Sequence, residues 1–285
     1  MKKIALSIAM LGLIFIHVVA QKTNVGLKFT KLWETKPGLS VPESVLYDAA
    51  TGLVYVANIN GKSSEKDGNG FISLLTQNGE IVKADWATGL DAPKGMGIWK
   101  KHLFVTNIDE VVEIDLVIGK ILNRYRAVNS VFLNDLAIDN QGNIYITDSQ
   151  ASELFLLKNG KISLWKSGDE FKGANGLYYK SNTIYVGTKN AILKIDLANG
   201  KVEKALDNTG SVDGLYLTSD GKFIFSDWSG HVYMAAPDKI PELLLDTTAE
   251  KVNAADFGVI PGKNVILIPT FFDNRVMAYS CPVIK

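Results

Sequence analysis

The sequence is poor in the residues on which several functions depend. It has one cysteine, three histidines and no excess of either charge. A single thiol, Cys281, cannot close an internal disulfide, so a chain of this size outside the cytoplasm must rely on its apolar core. Residues of hydrophobic type make up 47% of the chain, enough to build one. Thirty basic residues balance thirty acidic ones and form no basic stripe, which excludes nucleic acid as a partner. A His-rich zinc site is excluded by the histidine count and by position, since His102 and His231 fall within or beside apolar runs. There is no G-x-S-x-G, no cysteine beside a histidine, and no Gly-rich loop opening a helix. No linker or low-complexity tract interrupts residues 28 to 285, which read as one domain.

Only one long apolar run exists. Lys2 and Lys3 precede Ile4 to Phe15, and Val18-Val19-Ala20 ends in small residues. This pattern predicts a signal peptide over residues 1–20, cut before Gln21, leaving a mature domain over 21–285. The alternative is an uncleaved anchor, for which the run is short against the ~20 residues a span needs. No cysteine near the cut offers a lipid site. The expectation is an exported protein, periplasmic or secreted, with no membrane span after cleavage. Losing Lys2 and Lys3 leaves a net charge of about −2.

What the chain does have is a repeat. In Ala174-Asn175-Gly176-Leu177-Tyr178-Tyr179 a polar residue and a glycine lead into an apolar strand. Two more apolar runs follow, Thr183 to Val186 and Ala191 to Ile195, then an Asn199-Gly200 hairpin turn. Equivalent units open at Glu43, Lys94, Asn134, Asp213 and Asp256, in steps of 51, 40, 41, 38 and 43 residues along the chain. A period near 40–45 residues with four strands per unit predicts an all-β fold, a six-bladed β-propeller. The last unit ends near Tyr279 without a fourth strand, and an unassigned strand, Lys28 to Glu34, precedes the first. The N-terminal strand should therefore complete the last blade and close the ring; a degenerate seventh blade is the alternative. The long first step reflects a polar, Gly-rich loop at residues 60–70.

In such a ring the starts of the innermost strands and the turns after the second strands share one face. The six lead residues then converge on one channel mouth, and Trp228, Phe271 and Phe272 overhang it as an apolar, substrate-binding wall. Three carboxylates (Glu43, Asp213, Asp256) face one ammonium (Lys94) and two amides (Asn134, Asn175). Like charges held close disfavour their own ionisation unless a cation sits among them. Carboxylate and amide oxygens are hard ligands, so the expected cofactor is a divalent metal, Ca²⁺ first, with Mg²⁺, Mn²⁺ or Zn²⁺ as alternatives. The competing reading is that Lys94 takes the metal's place by pairing with Glu43 or Asp256. Asp148 and Asp227, which close second strands, read as structural hydrogen-bond acceptors.

At Pro42-Glu43-Ser44-Val45, Leu133-Asn134-Asp135-Leu136, Ala174-Asn175-Gly176-Leu177 and Val212-Asp213-Gly214-Leu215 the chain resembles the SMP-30/gluconolactonase/LRE-like family of six-bladed propellers. The likeness runs through nearly all of the mature chain. It implies Glu43, Asn175 and Asp213 as ligands of one metal, Asn134 as a contact to substrate or to the metal's water, and Asp213 also as general base. It further implies hydrolysis of a lactone or another ester. Two departures stand out. Val131-Phe132-Leu133 lacks the Arg with which some members bind substrate, and Lys94 adds a cation that could stabilise an oxyanion while Asp256 holds it. Two readings follow: a metal-dependent hydrolase, and a non-catalytic exported propeller that binds a small ligand or a protein on the same face. A monomer is expected in either.

Overall fold

The computed structural model describes residues 29–282 and 284; the signal-peptide reading of residues 1–20 lies outside them. The described residues form six antiparallel sheets of four strands each. Two single turns of 3-10 helix, Asp169–Phe171 and Phe271–Asp273, sit in the connections. Each sheet is one repeat unit, and the six stand as blades around a ring. No helix among the described residues is long and apolar enough to cross a membrane.

The innermost strands are Pro42–Asp48, Pro93–Trp99, Leu133–Ile138, Leu177–Lys180, Leu215–Leu217 and Gly258–Ile260. The second strands, such as Ile144–Asp148 and Val265–Pro269, are buried along their whole length. They read as continuous apolar runs because a neighbouring blade covers each face. Outer strands such as Ile121–Arg126 lose that cover and become polar. The apolar core accordingly lies between blades. Tyr55 and Ile72 of blade one pack on Leu103 and Val112 of blade two, and Phe104 and Val111 of blade two pack on Leu136 and Ile146 of blade three.

The ring closes as the sequence predicts. The N-terminal strand Thr30–Glu34 pairs antiparallel with Val276–Ser280 and becomes the outer strand of blade six. Thr35 exchanges two hydrogen bonds with the Val276 backbone, at 3.0 and 3.1 Å. Trp33 then joins a cluster that spans the seam, with Val54 and Leu75 from blade one and Ile260 and Leu267 from blade six. Its ring lies over Gly79, a turn residue of blade one with φ +84°, where any Cβ would collide with the indole. The 51-residue step of blade one is absorbed, as expected, by residues 59–69 between its second and third strands.

Because Trp33 is half-buried at the seam, Trp33→Ala should cost about 2 kcal/mol, or roughly 4–8 °C in Tm, by differential scanning calorimetry. Leu32→Ala on the outward side of the same strand should leave Tm within about 1 °C.

Candidate functional site

A recurring contact holds the segment ahead of the lead residue in half of the blades. In three blades a side-chain oxygen at the end of the second strand accepts the backbone N–H groups that enter that blade. Asn58 Oδ1 accepts from Ser40 at 3.0 Å, and Asn107 Oδ1 accepts from Asp91 and Ala92 at 2.8 and 3.0 Å. The Asp148 carboxylate accepts from Val131 at 2.6 Å and from Phe132 at 3.1 Å. Asp148 and Asp227 thus act as backbone acceptors, Asp227 towards Gly230 and His231. One residue earlier, a hydroxyl reaches the next blade. Thr106 Oγ1 donates to the Asn134 carbonyl, Thr147 Oγ1 to that of Asn175 at 2.9 Å, and Ser226 Oγ to that of Ala255 at 2.9 Å. The glycine that follows several leads is required by crowding at the axis, since a Cβ on Gly176 would strike the Asp213 carbonyl.

The leads do meet. Glu43, Lys94, Asn134 and Asp213 are buried, while Asn175 and Asp256 keep partial exposure to the channel. Asn175 Nδ2 donates to Asp213 Oδ1 at 2.8 Å. Two oxygens of the expected ligand set, Glu43 Oε2 and Asn175 Oδ1, are buried and accept no hydrogen bond. Among the described residues no three His, Cys, Asp or Glu groups converge closely enough to hold a metal alone. A cation here would use two carboxylates and an amide.

A fourth carboxylate joins the ring. Asp135 stands where neighbouring units place glycine, and its oxygens accept the N–H groups of Leu136 and of Leu177 in the next blade. The sequence signal for it was that charged residue in a glycine position. Ser44, in the same position of blade one, donates to Asp256 Oδ2 at 2.7 Å.

Burial is the largest influence on every member. It pushes Asp213 up to about 8, helped by the nearby Asp256 charge and opposed by the Asn175 hydrogen bond. Asp256 is pushed up to about 7 by burial, against the Ser44 hydrogen bond. Glu43 and Asp135 are raised well above the usual carboxylate range, by burial and then by neighbouring carboxylates. Burial lowers Lys94 to about 8, and the Glu43 charge resists that fall.

Lys94 does not pair with Glu43 or Asp256 in the way the competing reading expected. Its ammonium donates to the carbonyls of Ser63 and Ala92 at 3.0 and 2.9 Å and lies 4.4 Å from the centre of the Phe132 ring. All three partners stand on the strand-start side. Loop 59–69 therefore folds back over this mouth, tied by a Lys66–Asp109 ion pair at 2.6 Å and by Gly68 N–H donating to Asp91 at 3.1 Å. Phe271 seals beside it against Ile59, Ala92, Ile108 and Ala255. Trp228, Phe271 and Phe272 do form an aromatic cluster, with centroids 4.7–5.8 Å apart, and Trp228 and Phe272 face solvent. The wall exists, but the mouth beneath it is roofed. A cavity of about 320 Å³ opens instead at the opposite end of the channel, lined by the later residues of the inner strands.

The raised carboxylates set the pH response. Between the ordinary carboxylate value of about 4 and the folded values of about 7 and 8, the folded chain keeps protons that the unfolded chain has released. Stability supplied by those protons falls as pH rises through that window. Above about 8 the depressed Lys94 reverses the sign, because there the unfolded chain holds the extra proton. In chelator, Tm should therefore fall by several degrees from pH 5.5 to pH 8, and Asp213→Asn should flatten that slope, as read by scanning fluorimetry.

Comparison with known proteins bears on the fold. No family model matches the chain, and no curated protein matches it in sequence. Among solved structures it is similar to the virginiamycin B lyase of Staphylococcus aureus, with TM-score 0.63 and 13% identity over 89% of this chain and 99% of that one. A streptogramin B lyase gives TM-score 0.63 and 12% identity over 88% and 96%. The WD40 β-propeller domain of Doa1 gives TM-score 0.61 and 14% identity over 83% and 77%. At such identities the likeness is one of fold, and it makes this chain a β-propeller of six blades without assigning its chemistry.

Proposed function

We propose that the channel binds one divalent cation, Ca²⁺ first among the candidates, through Glu43, Asn175 and Asp213, and that the protein hydrolyses a lactone or another ester there. The observation that carries this is the pair of buried, partnerless oxygens, Glu43 Oε2 and Asn175 Oδ1. Buried acceptors are ordinarily satisfied, and two orphan oxygens within one proposed ligand set are what a cation site lacking its ion would leave. The donor set fits: hard oxygens, with the Asn175 amide turned by its own hydrogen bond to Asp213.

A cation bound there would polarise an ester carbonyl and lower the pKa of a water. The chain supplies the rest. Asp213 keeps one oxygen on Asn175, and its other oxygen, which receives no donor among the described residues, would take the proton. Asn134 orients substrate from the adjoining blade. Lys94, held by two carbonyls, acts on this centre through its charge on Glu43.

The roof over the strand-start mouth favours a second reading, in which the cation only ties the blades together and Trp228 and Phe272 bind a ligand or protein outside. Export, to the periplasm or beyond the cell, is part of both readings.

Elemental analysis after dialysis against Ca²⁺ should find one equivalent per chain, and none in Glu43→Gln; absence of metal in the wild type overturns the cation site. In an ester and lactone screen, Asp213→Asn should lower kcat by about 100-fold or more. A cation-loaded protein that turns over no ester above the variant would leave the second reading standing.

A further inference from the structure

The open end of the channel holds a cavity that none of the proposed metal ligands lines. Its cavity of about 320 Å³ lies among the later residues of the six inner strands. That volume suits a small molecule. The lining mixes polar and apolar surface and is rich in aromatic side chains, Tyr47, Tyr178, Tyr179, Tyr216 and Phe257. Tyr178 and Tyr216 stand edge to face, 5.2 Å apart. Among the described residues only two of acidic type line it, Asp135 and Asp256, and no lysine, arginine or histidine does.

The two carboxylates differ in how far they are occupied. Asp135 is buried, with each oxygen accepting a backbone N–H group. Asp256 is partly exposed to the channel. Ser44 Oγ donates to its Oδ2, and Oδ1 receives no donor among the described residues. One carboxylate oxygen is thus left open to an aromatic-lined cup with no compensating cation among the described residues.

We propose that this cup binds a small organic ammonium ion, a primary amine on an aromatic or branched apolar body, with the ammonium on Asp256 and the body among the tyrosines. The charge pattern selects the class. An anion would meet two carboxylates, and a neutral apolar body would leave the Asp256 oxygen desolvated without a partner. An ammonium supplies both charge and donors, and aromatic walls accommodate it well. The inference does not depend on the metal centre, because none of the proposed ligands Glu43, Asn175 or Asp213 lines the cavity.

Calorimetric titration of the full mature chain in chelator tests it, with 2-phenylethylamine as probe beside the neutral 2-phenylethanol and the anionic phenylacetate. Saturable binding of the amine and neither analogue is expected. Asp256→Asn should weaken it by about tenfold or more, while Glu43→Gln, which removes a proposed metal ligand that does not line the cavity, should leave it in place. Val259→Trp, which fills the rim, should abolish binding in a protein whose Tm is kept. Equal binding of the amine and the alcohol, amine binding that survives both cavity variants, or no saturable amine binding by the folded wild type would overturn the proposal.

Discussion

A hydrogen bond made within a blade governs what happens at the axis. The side-chain oxygens of Asn58, Asn107 and Asp148 sit at the ends of fully covered strands, where an unpaired acceptor is costly. Each is satisfied by the N–H groups of the segment entering the same blade. That segment is then held a few residues before its lead, so Glu43, Lys94 and Asn134 have no freedom to turn outward. The hydroxyls of Thr106, Thr147 and Ser226 carry the constraint to the next blade. Local satisfaction of backbone groups thereby accumulates into convergence of side chains that are 40 residues or more apart in sequence.

Convergence has an electrostatic cost. Four carboxylates and one ammonium occupy a desolvated centre, and every one of them is shifted away from its charged form by burial. A chain selected only for stability would place apolar side chains here, as it does between the blades. The cost is tolerated because inter-blade packing holds the inner strands in place whatever their leads prefer. Stored conflict of this kind, supported by a scaffold without any, is how functional centres are commonly built.

Much of this was legible in the sequence, and the reason is periodicity. A unit repeated six times reports both the blade and the position of Glu43, Asn175 and Asp213 within it. The missing last strand and the spare first one together foretold the closure sealed by Trp33. What escaped depends on deviation from the repeat. Asp135 occupies a glycine position at a register shift that blades one and two share, so only the residue type departs from the repeat. The hydroxyls at Thr106, Thr147 and Ser226 form a visible pattern, Thr or Ser before Asn or Asp, whose meaning appears only when the next blade is in place. Nothing local in the sequence could pair Lys94 with the carbonyl of Ser63, 31 residues away across a loop. That one contact roofs the mouth which repeat geometry had left open.

The roof changes how the channel can be used. With loop 59–69 and Phe132 over the strand starts, the centre is reached from solvent by one of two routes. Either the loop releases Lys94, or a molecule enters from the cavity and meets Asp256 and Asp135 first. The first route breaks the Lys94–Ser63 hydrogen bond, the Gly68–Asp91 hydrogen bond and the Lys66–Asp109 pair. The second route leads past an acidic, tyrosine-lined cup. On the chemistry proposed above, that cup selects for a cation over an uncharged ester, and the buried ring is the wall that the two proposed sites share.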